Sequence, residues 1–221
     1  MRGGVPISLE DRWFNLGATG TGKTTFNKKL MDELLRLYPG LQAYVLDTKQ
    51  YRDFLDWAPI TAQSSPPKPL PFGGAQRKLT WQPVGRDLDA IDAWFQQLFD
   101  LPYPVVINVD EMLGILRKKG GDPPYWFSVI QTAGRAKGKL AITNSQELSY
   151  MPGDVVKQAT HVVAFRTVGK MEPLQRNLLL RRNNRGPLPN SRYGFAHLRL
   201  DDPMAEAVDY TDWQEFLRRA A

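Results

Sequence analysis

Cysteine is absent from the 221 residues and histidine occurs only twice. Disulfide staples, thiolate metal sites and a histidine-rich metal centre are thereby excluded. No apolar run approaches the ~20 residues of a membrane-spanning helix, the longest candidate being the short "VVINV" at Val105. The opening "MRGGVPISLE" has one arginine but neither an apolar core nor a small-residue cleavage site, so no export signal is indicated. These absences lead to the expectation of a cytoplasmic protein without a membrane span. Acidic residues are also in deficit, giving a net charge of +6 and a pI near 9.5. That balance favours an acidic partner such as nucleic acid. At 25.1 kDa the chain is long enough for one domain with a buried core, read as residues 11–167 followed by a basic extension over 168–221.

Apolar periodicity alternates between strand and helix, which predicts an α/β sheet. "RWFNLG" reads as a strand entering a glycine-rich loop, and Phe26, Leu30, Leu34 and Leu37 recur at helical spacing until Pro39-Gly40 stops the helix. Further strands are expected at "LQAYVLDT", "KLTWQP", "PVVINVDE", "KLAITNSQ", "HVVAFRT" and "YGFAHLRL". Helices are expected over 87–100, 124–134 and 154–159, at "EPLQRNLLLRR", and at the terminal "TDWQEFLRRA". Residues 59–78, rich in Pro, Gly and Ser, read as a loop that leaves the sheet.

"GATGTGKT" matches G-x-x-x-x-G-K-[ST] between a strand and a helix, the context this phosphate-binding pattern requires. Backbone N–H groups from Gly17, Ala18, Thr19, Gly20, Thr21, Gly22, Lys23, Thr24 and Thr25 can surround a nucleotide's phosphates at a helix N-terminus. Lys23 can reach the β- and γ-phosphates of ATP, and the Thr24 hydroxyl can ligate Mg²⁺. The complementary acid stands at the end of "VVINVDE": Asp110 to hold Mg²⁺ and Glu111 to polarise the attacking water. A glutamate beside the magnesium aspartate points to hydrolysis. Gln146, ending an apolar strand, is the candidate γ-phosphate sensor, with Asn144 and Ser145 read as structural. Asp47 and Lys49, ending the second strand near the site, read as a structural or inter-subunit ion pair in preference to catalytic groups.

These residues resemble the FtsK/HerA superfamily of DNA-pumping ATPases, and within it the compact genome-packaging ATPases of membrane-containing icosahedral viruses. The resemblance runs from Gly17 to about Thr167. It rests on "GATGTGKTT", on "VLDTK" and "LTWQP" as strand ends, on "VVINVDE", and on "AGRAKGKLAITNSQELSYMP". Asn144-Ser145 departs from it, since Ala-Thr is more usual before the glutamine. The resemblance implies a RecA-like (ASCE) P-loop NTPase with a central, mainly parallel sheet flanked by helices. It also implies a homo-oligomeric ring, usually a hexamer, around double-stranded DNA, with a viral capsid vertex as partner. In such rings a neighbour donates an arginine, and Arg135 in "GRAKG" matches that position, with Arg166 in reserve.

Charge is unevenly distributed. Residues 166–199 hold eight Lys or Arg against one acid, and residues 112–139 hold six against one. The "RKKGGD" loop, carrying Arg117, Lys118 and Lys119 beside two glycines, is the candidate DNA-facing element. Trp81, Trp94, Trp126 and Trp213 read as core or subunit contacts, and His161 and His197 as packed side chains. Three other functions compete with a DNA motor: a filamentous-phage-type morphogenesis ATPase, a small-molecule kinase, and a non-catalytic nucleotide-gated module. Glu111 and Gln146 argue against the last two.

Overall fold

The computed structural model describes residues 7–50, 52–118, 121–146, 151–166, 193–201 and 207–220. Among these residues nine strands form one sheet: β1 (Arg12–Leu16), β2 (Gln42–Leu46), β3 (Ile60–Gln63), β4 (Lys78–Pro83), β5 (Val105–Val109), β6 (Lys139–Ser145), β7 (His161–Phe165), β8 (Phe195–Arg199) and β9 (Val208–Tyr210). Their order is β3-β4-β2-β5-β6-β1-β7-β8-β9. The first seven pair in parallel, while β7–β8 and β8–β9 are antiparallel. Strands β1, β2, β5, β6 and β7 are buried along their whole length. Their near-continuous apolar sequences follow from being covered on both faces.

On one face α1 (Lys23–Leu37) presents Phe26, Leu30, Met31 and Leu34 to Trp13, Val45 and Val106, joined there by Phe216 of α5 (Trp213–Ala220). The other face packs α2 (Leu88–Asp100), α3 (Tyr125–Ala133) and α4 (Gly153–Gln158) over Phe14, Tyr44, Trp81 and Ile107. Asp87 caps α2, its carboxylate accepting from the N–H groups of Asp89 and Ala90. Each fully buried Leu, Ile or Phe on these helix faces contributes about 1.5–3 kcal/mol.

One expectation changes. Residues 59–78 are not wholly outside the sheet: Ile60–Gln63 form the edge strand β3, in register with Thr80–Pro83. Four residues between Pro59 and a Ser-Pro-rich run are too few to show a period, and their pairing with β4 supplies what the local sequence does not. The sheet also continues beyond residue 167, where β8, β9 and α5 complete the aromatic core around Phe195, Tyr210 and Phe216. The expected helix at "EPLQRNLLLRR" lies outside the described residues.

Part of the basic charge is structural. Arg12, buried at the start of β1, donates to the carbonyls of Ile130 and Gln131 in the last turn of α3. Lys139, buried at the start of β6, donates to the carbonyls of Leu101 and Tyr103 just beyond α2. Both cations sit where helix dipoles end in partial negative charge. Lys139 therefore does not belong to a DNA-facing surface.

Candidate nucleotide site

The parallel strands bring their C-terminal ends to one edge. The chain leaves β1 for α1 and reaches β2 only after passing two intervening strands, β6 and β5. A ligand crevice belongs at such a point. The loop from Gly17 to Gly22 fills it, with Gly17 N–H donating to the Ser145 carbonyl and Ala18 N–H to the Arg166 carbonyl, at 3.2 and 3.1 Å. Gly22 precedes α1 with φ 102°, a left-handed conformation. Only glycine adopts it without strain, and an added Cβ would also lie 3.0 Å from the Tyr193 ring.

Lys23 is buried, and its ammonium donates to the carbonyls of Gly17 and Ala18. Burial first, and then repulsion from Lys49, lowers its pKa to about 8. Thr24 Oγ1 lies 3.4 Å from Asp110 Oδ1. The hydroxyl and one carboxylate oxygen thus face each other, while Asp110 Oδ2 has the Lys49 ammonium 3.3 Å away. Hard oxygen donors in this number suit Mg²⁺, which keeps several waters and phosphate oxygens in its shell. Around the loop is a cavity of about 280 Å³ reached by Lys23, Thr24, Thr25, Lys28 and Lys49.

Glu111 follows Asp110 at the end of β5 and is mostly buried. Gln146 Nε2 donates to Glu111 Oε2 at 3.0 Å, and Thr19 Oγ1 lies 3.2 Å from Gln146 Oε1. The glutamine therefore bridges the glycine-rich loop and the acid. Glu111 Oε1 has no hydrogen-bond partner among the described residues.

Lys49 requires a correction. Its ammonium does not pair with Asp47; it lies 3.3 Å from Asp110 Oδ2 and 3.5 Å from Glu111 Oε2. Burial opposes its charge, but the two carboxylates outweigh burial and hold its pKa above the usual lysine value. Asp47 instead accepts from Gln82 Nε2 at 2.7 Å and from the Lys49 N–H at 3.2 Å. Burial raises its pKa to about 6. Spacing along one strand end suggested the pair, whereas the partner comes from β5, next in the sheet. Gly114 was missed as well: a Cβ there would fall 2.0 Å from Thr48 Oγ1, so the turn after Glu111 can approach β2 only with glycine. The sole sequence signal was a glycine within an apolar run.

The arginines separate. Arg135 precedes β6 at the opposite edge of the sheet, and the seven residues of β6 put roughly 20 Å between it and its own nucleotide loop. It is not near its own site. Arg166 follows β7 and abuts the loop through its carbonyl. Arg117 is exposed in the segment that leaves Glu111 and lies 4.0 Å from Asp89. Lys118 follows it, also exposed, while Lys119 lies outside the described residues. On the other side of α1's first turn, Phe165, Tyr193, Phe195, Trp213 and Gln214 line an aromatic cleft of about 310 Å³ that reaches Thr25.

No protein-family model matches the chain, and no curated protein matches it in sequence. Solved structures do match its fold. The genome packaging NTPase B204 from Sulfolobus turreted icosahedral virus 2, in complex with ATP-gammaS, superposes with a TM-score of 0.68 at 13% identity, covering 91% of this chain and 98% of that one. The pCW3 conjugation coupling protein TcpA gives 0.64 at 16% identity, covering 96% of this chain and 66% of that one. EssC (ATPases 2 and 3) from Geobacillus thermodenitrificans gives 0.62 at 12%, covering 96% and 42%. By fold this chain is a P-loop NTPase with a RecA-like α/β sheet. Its particular architecture is the one shared by these packaging and coupling ATPases.

Proposed function

We propose that this protein is an ATP-hydrolysing motor that moves double-stranded DNA, acting as a homo-oligomeric ring, most closely a hexamer, that packages a viral genome at a capsid vertex. The observation that carries the hydrolysis is Glu111: Gln146 and Lys49 hold its Oε2, and its buried Oε1 has no hydrogen-bond partner among the described residues. Lys23 and the loop N–H groups would hold the triphosphate. Thr24 and Asp110 would hold Mg²⁺, which neutralises charge on the phosphate oxygens when bound. The aromatic cleft beside Thr25 would seat the adenine. Glu111 would orient the water and take its proton, while Gln146, joined to the loop through Thr19, would register the γ-phosphate.

The DNA reading is supported by the shared fold with a genome packaging NTPase and a conjugation coupling protein, and by the exposed Arg117 and Lys118 on the nucleotide edge. Among the described residues no helix is long and apolar enough to cross a membrane. Phosphate release from Mg-ATP, with and without double-stranded DNA, tests the proposal. DNA should accelerate release, and Glu111→Gln should abolish turnover while retaining ATP. Release that ignores DNA would reject the motor, and parental turnover in Glu111→Gln would reject the assigned base.

A further inference from the structure

Four asparagines, Asn15, Asn27, Asn108 and Asn144, are completely buried beneath the nucleotide site. They bond to one another. Asn15 Nδ2 donates to Asn27 Oδ1 at 2.5 Å and to Asn144 Oδ1 at 3.1 Å. Asn27 Nδ2 donates to Asn144 Oδ1 at 2.9 Å and to Asn108 Oδ1 at 3.1 Å. Asn144 Nδ2 reaches Asn108 Oδ1 and the Val109 carbonyl, both at 3.2 Å. Asn15 Oδ1 and Asn108 Nδ2 find no hydrogen-bond partner among the described residues. An apolar filling would cover this helix–sheet contact without that desolvation cost. Stability alone therefore does not account for the cluster.

Its placement does. Each strand asparagine precedes a working residue by two positions and so shares its side of the sheet: Asn15 before Gly17, Asn108 before Asp110, Asn144 before Gln146. Asn27 lies one helical turn after Lys23 and Thr24. The four carboxamides thus tie the phosphate loop, the metal-binding acid and the sensor strand to the helix that receives the phosphates. We propose that the buried Asn15–Asn27–Asn108–Asn144 cluster is a positioning device that fixes Glu111 and Gln146 relative to the γ-phosphate. It makes turnover depend on hydrogen bonds that nucleotide binding itself does not need. Directional bonds hold three strand ends and a helix in one register, whereas apolar contacts tolerate small slips. Asn144, where the resembling family carries a different residue, is thereby a member of the network.

The inference rests on the ATPase reading, and its test separates the two. Asn27→Ala leaves partners unpaired and should lower both the thermal midpoint and kcat. Replacing all four together (Asn15→Val, Asn27→Leu, Asn108→Val, Asn144→Val) removes every unpaired carboxamide and should bring the midpoint back to or above the parental value. This variant should bind a non-hydrolysable ATP analogue with parental affinity and keep its KM. Its kcat should still fall about tenfold or more, because small misplacements of catalytic groups cost up to ~10²-fold. A folded quadruple variant with parental kcat would overturn the proposal. Should that variant not fold, Asn144→Ser decides: kcat reduced at constant KM supports positioning, and unchanged kcat overturns it. A parental chain that releases no phosphate would instead reject the ATPase reading.

Discussion

Lys23 is buried beside a second cation, and its ammonium bonds the loop's own carbonyls. With its pKa lowered to about 8, a sizeable fraction is neutral in mildly alkaline solution. A bound triphosphate adds negative charge next to the amine and raises that pKa again, so binding must draw in a proton. At pH 8 the uptake should be roughly half a proton per site, shrinking towards zero below about pH 7. Calorimetric titration of an ATP analogue in two buffers of different ionisation enthalpy measures it. Lys23→Arg, whose charge is permanent, should bind without that uptake; equal uptake in both proteins would assign the proton elsewhere. Lys49 follows the opposite logic. Two carboxylates keep it charged, and it can restrain Glu111 before phosphate arrives. Its sequence neighbours gave no sign of this, because the acids that explain it belong to β5.

Where β7 meets β8, the sheet changes from parallel to antiparallel around a buried polar ladder. Asp11 Oδ1 lies 3.2 Å from His161 Nε2, and His161 Nδ1 lies 2.9 Å from His197 Nε2. Trp13 stacks on His161 with ring centroids 4.0 Å apart, and Tyr210 and Phe216 close the other side of His197. Burial, followed by His161 and Arg199, drives the pKa of His197 well below the usual histidine value. The unfolded chain therefore binds more protons below about pH 6.5, and the stability held above that pH is lost as the pH falls. The thermal midpoint should drop by about 2–4 °C for each kcal/mol of stability lost, and His197→Phe should flatten this slope between pH 6.5 and 5. An unchanged slope would assign the acid sensitivity to another group. Asp47, with its pKa raised to about 6, works in the opposite sense, since its contribution is present below the unfolded value and fades as pH rises through 6. It is common to parent and variant, so it cancels. Local periodicity made β1, α1, β5 and β6 legible because their apolar residues face the core in every register the sheet could adopt. It hid β3 and β9, whose few residues become strands only by pairing, and it read His161 and His197 as separate packed residues because only the antiparallel register brings them together. Of the site, the loop and Asp110–Glu111 were legible from short-range spacing. Lys49, Gly114 and the asparagine cluster depend on contacts between strands distant in sequence.

Across the whole molecule, the two candidate arginines lie at opposite edges of the sheet. Arg166 abuts its own phosphate loop through its carbonyl, whereas Arg135 lies a full strand away from it. An arginine stabilising charge on the γ-phosphate is worth on the order of 10³–10⁵ in rate where a neighbour supplies it in GTPases. If Arg135 plays that part, turnover per subunit should rise with protein concentration as rings assemble, and Arg135→Ala should lose turnover while binding ATP normally. Mixing is the sharper measurement. Arg135→Ala subunits keep an intact phosphate loop, and Lys23→Ala subunits keep an intact arginine, so a mixed interface joins the two good halves and should regain activity although each protein alone has none. Arg166→Ala mixed with Lys23→Ala should stay inactive if Arg166 serves its own loop, because each subunit then lacks one half of the same site. Recovery only in the second mixture would exchange the two roles. A mixture of the first pair that forms rings yet remains inactive, together with a parental rate independent of concentration, would place the whole reaction within one subunit.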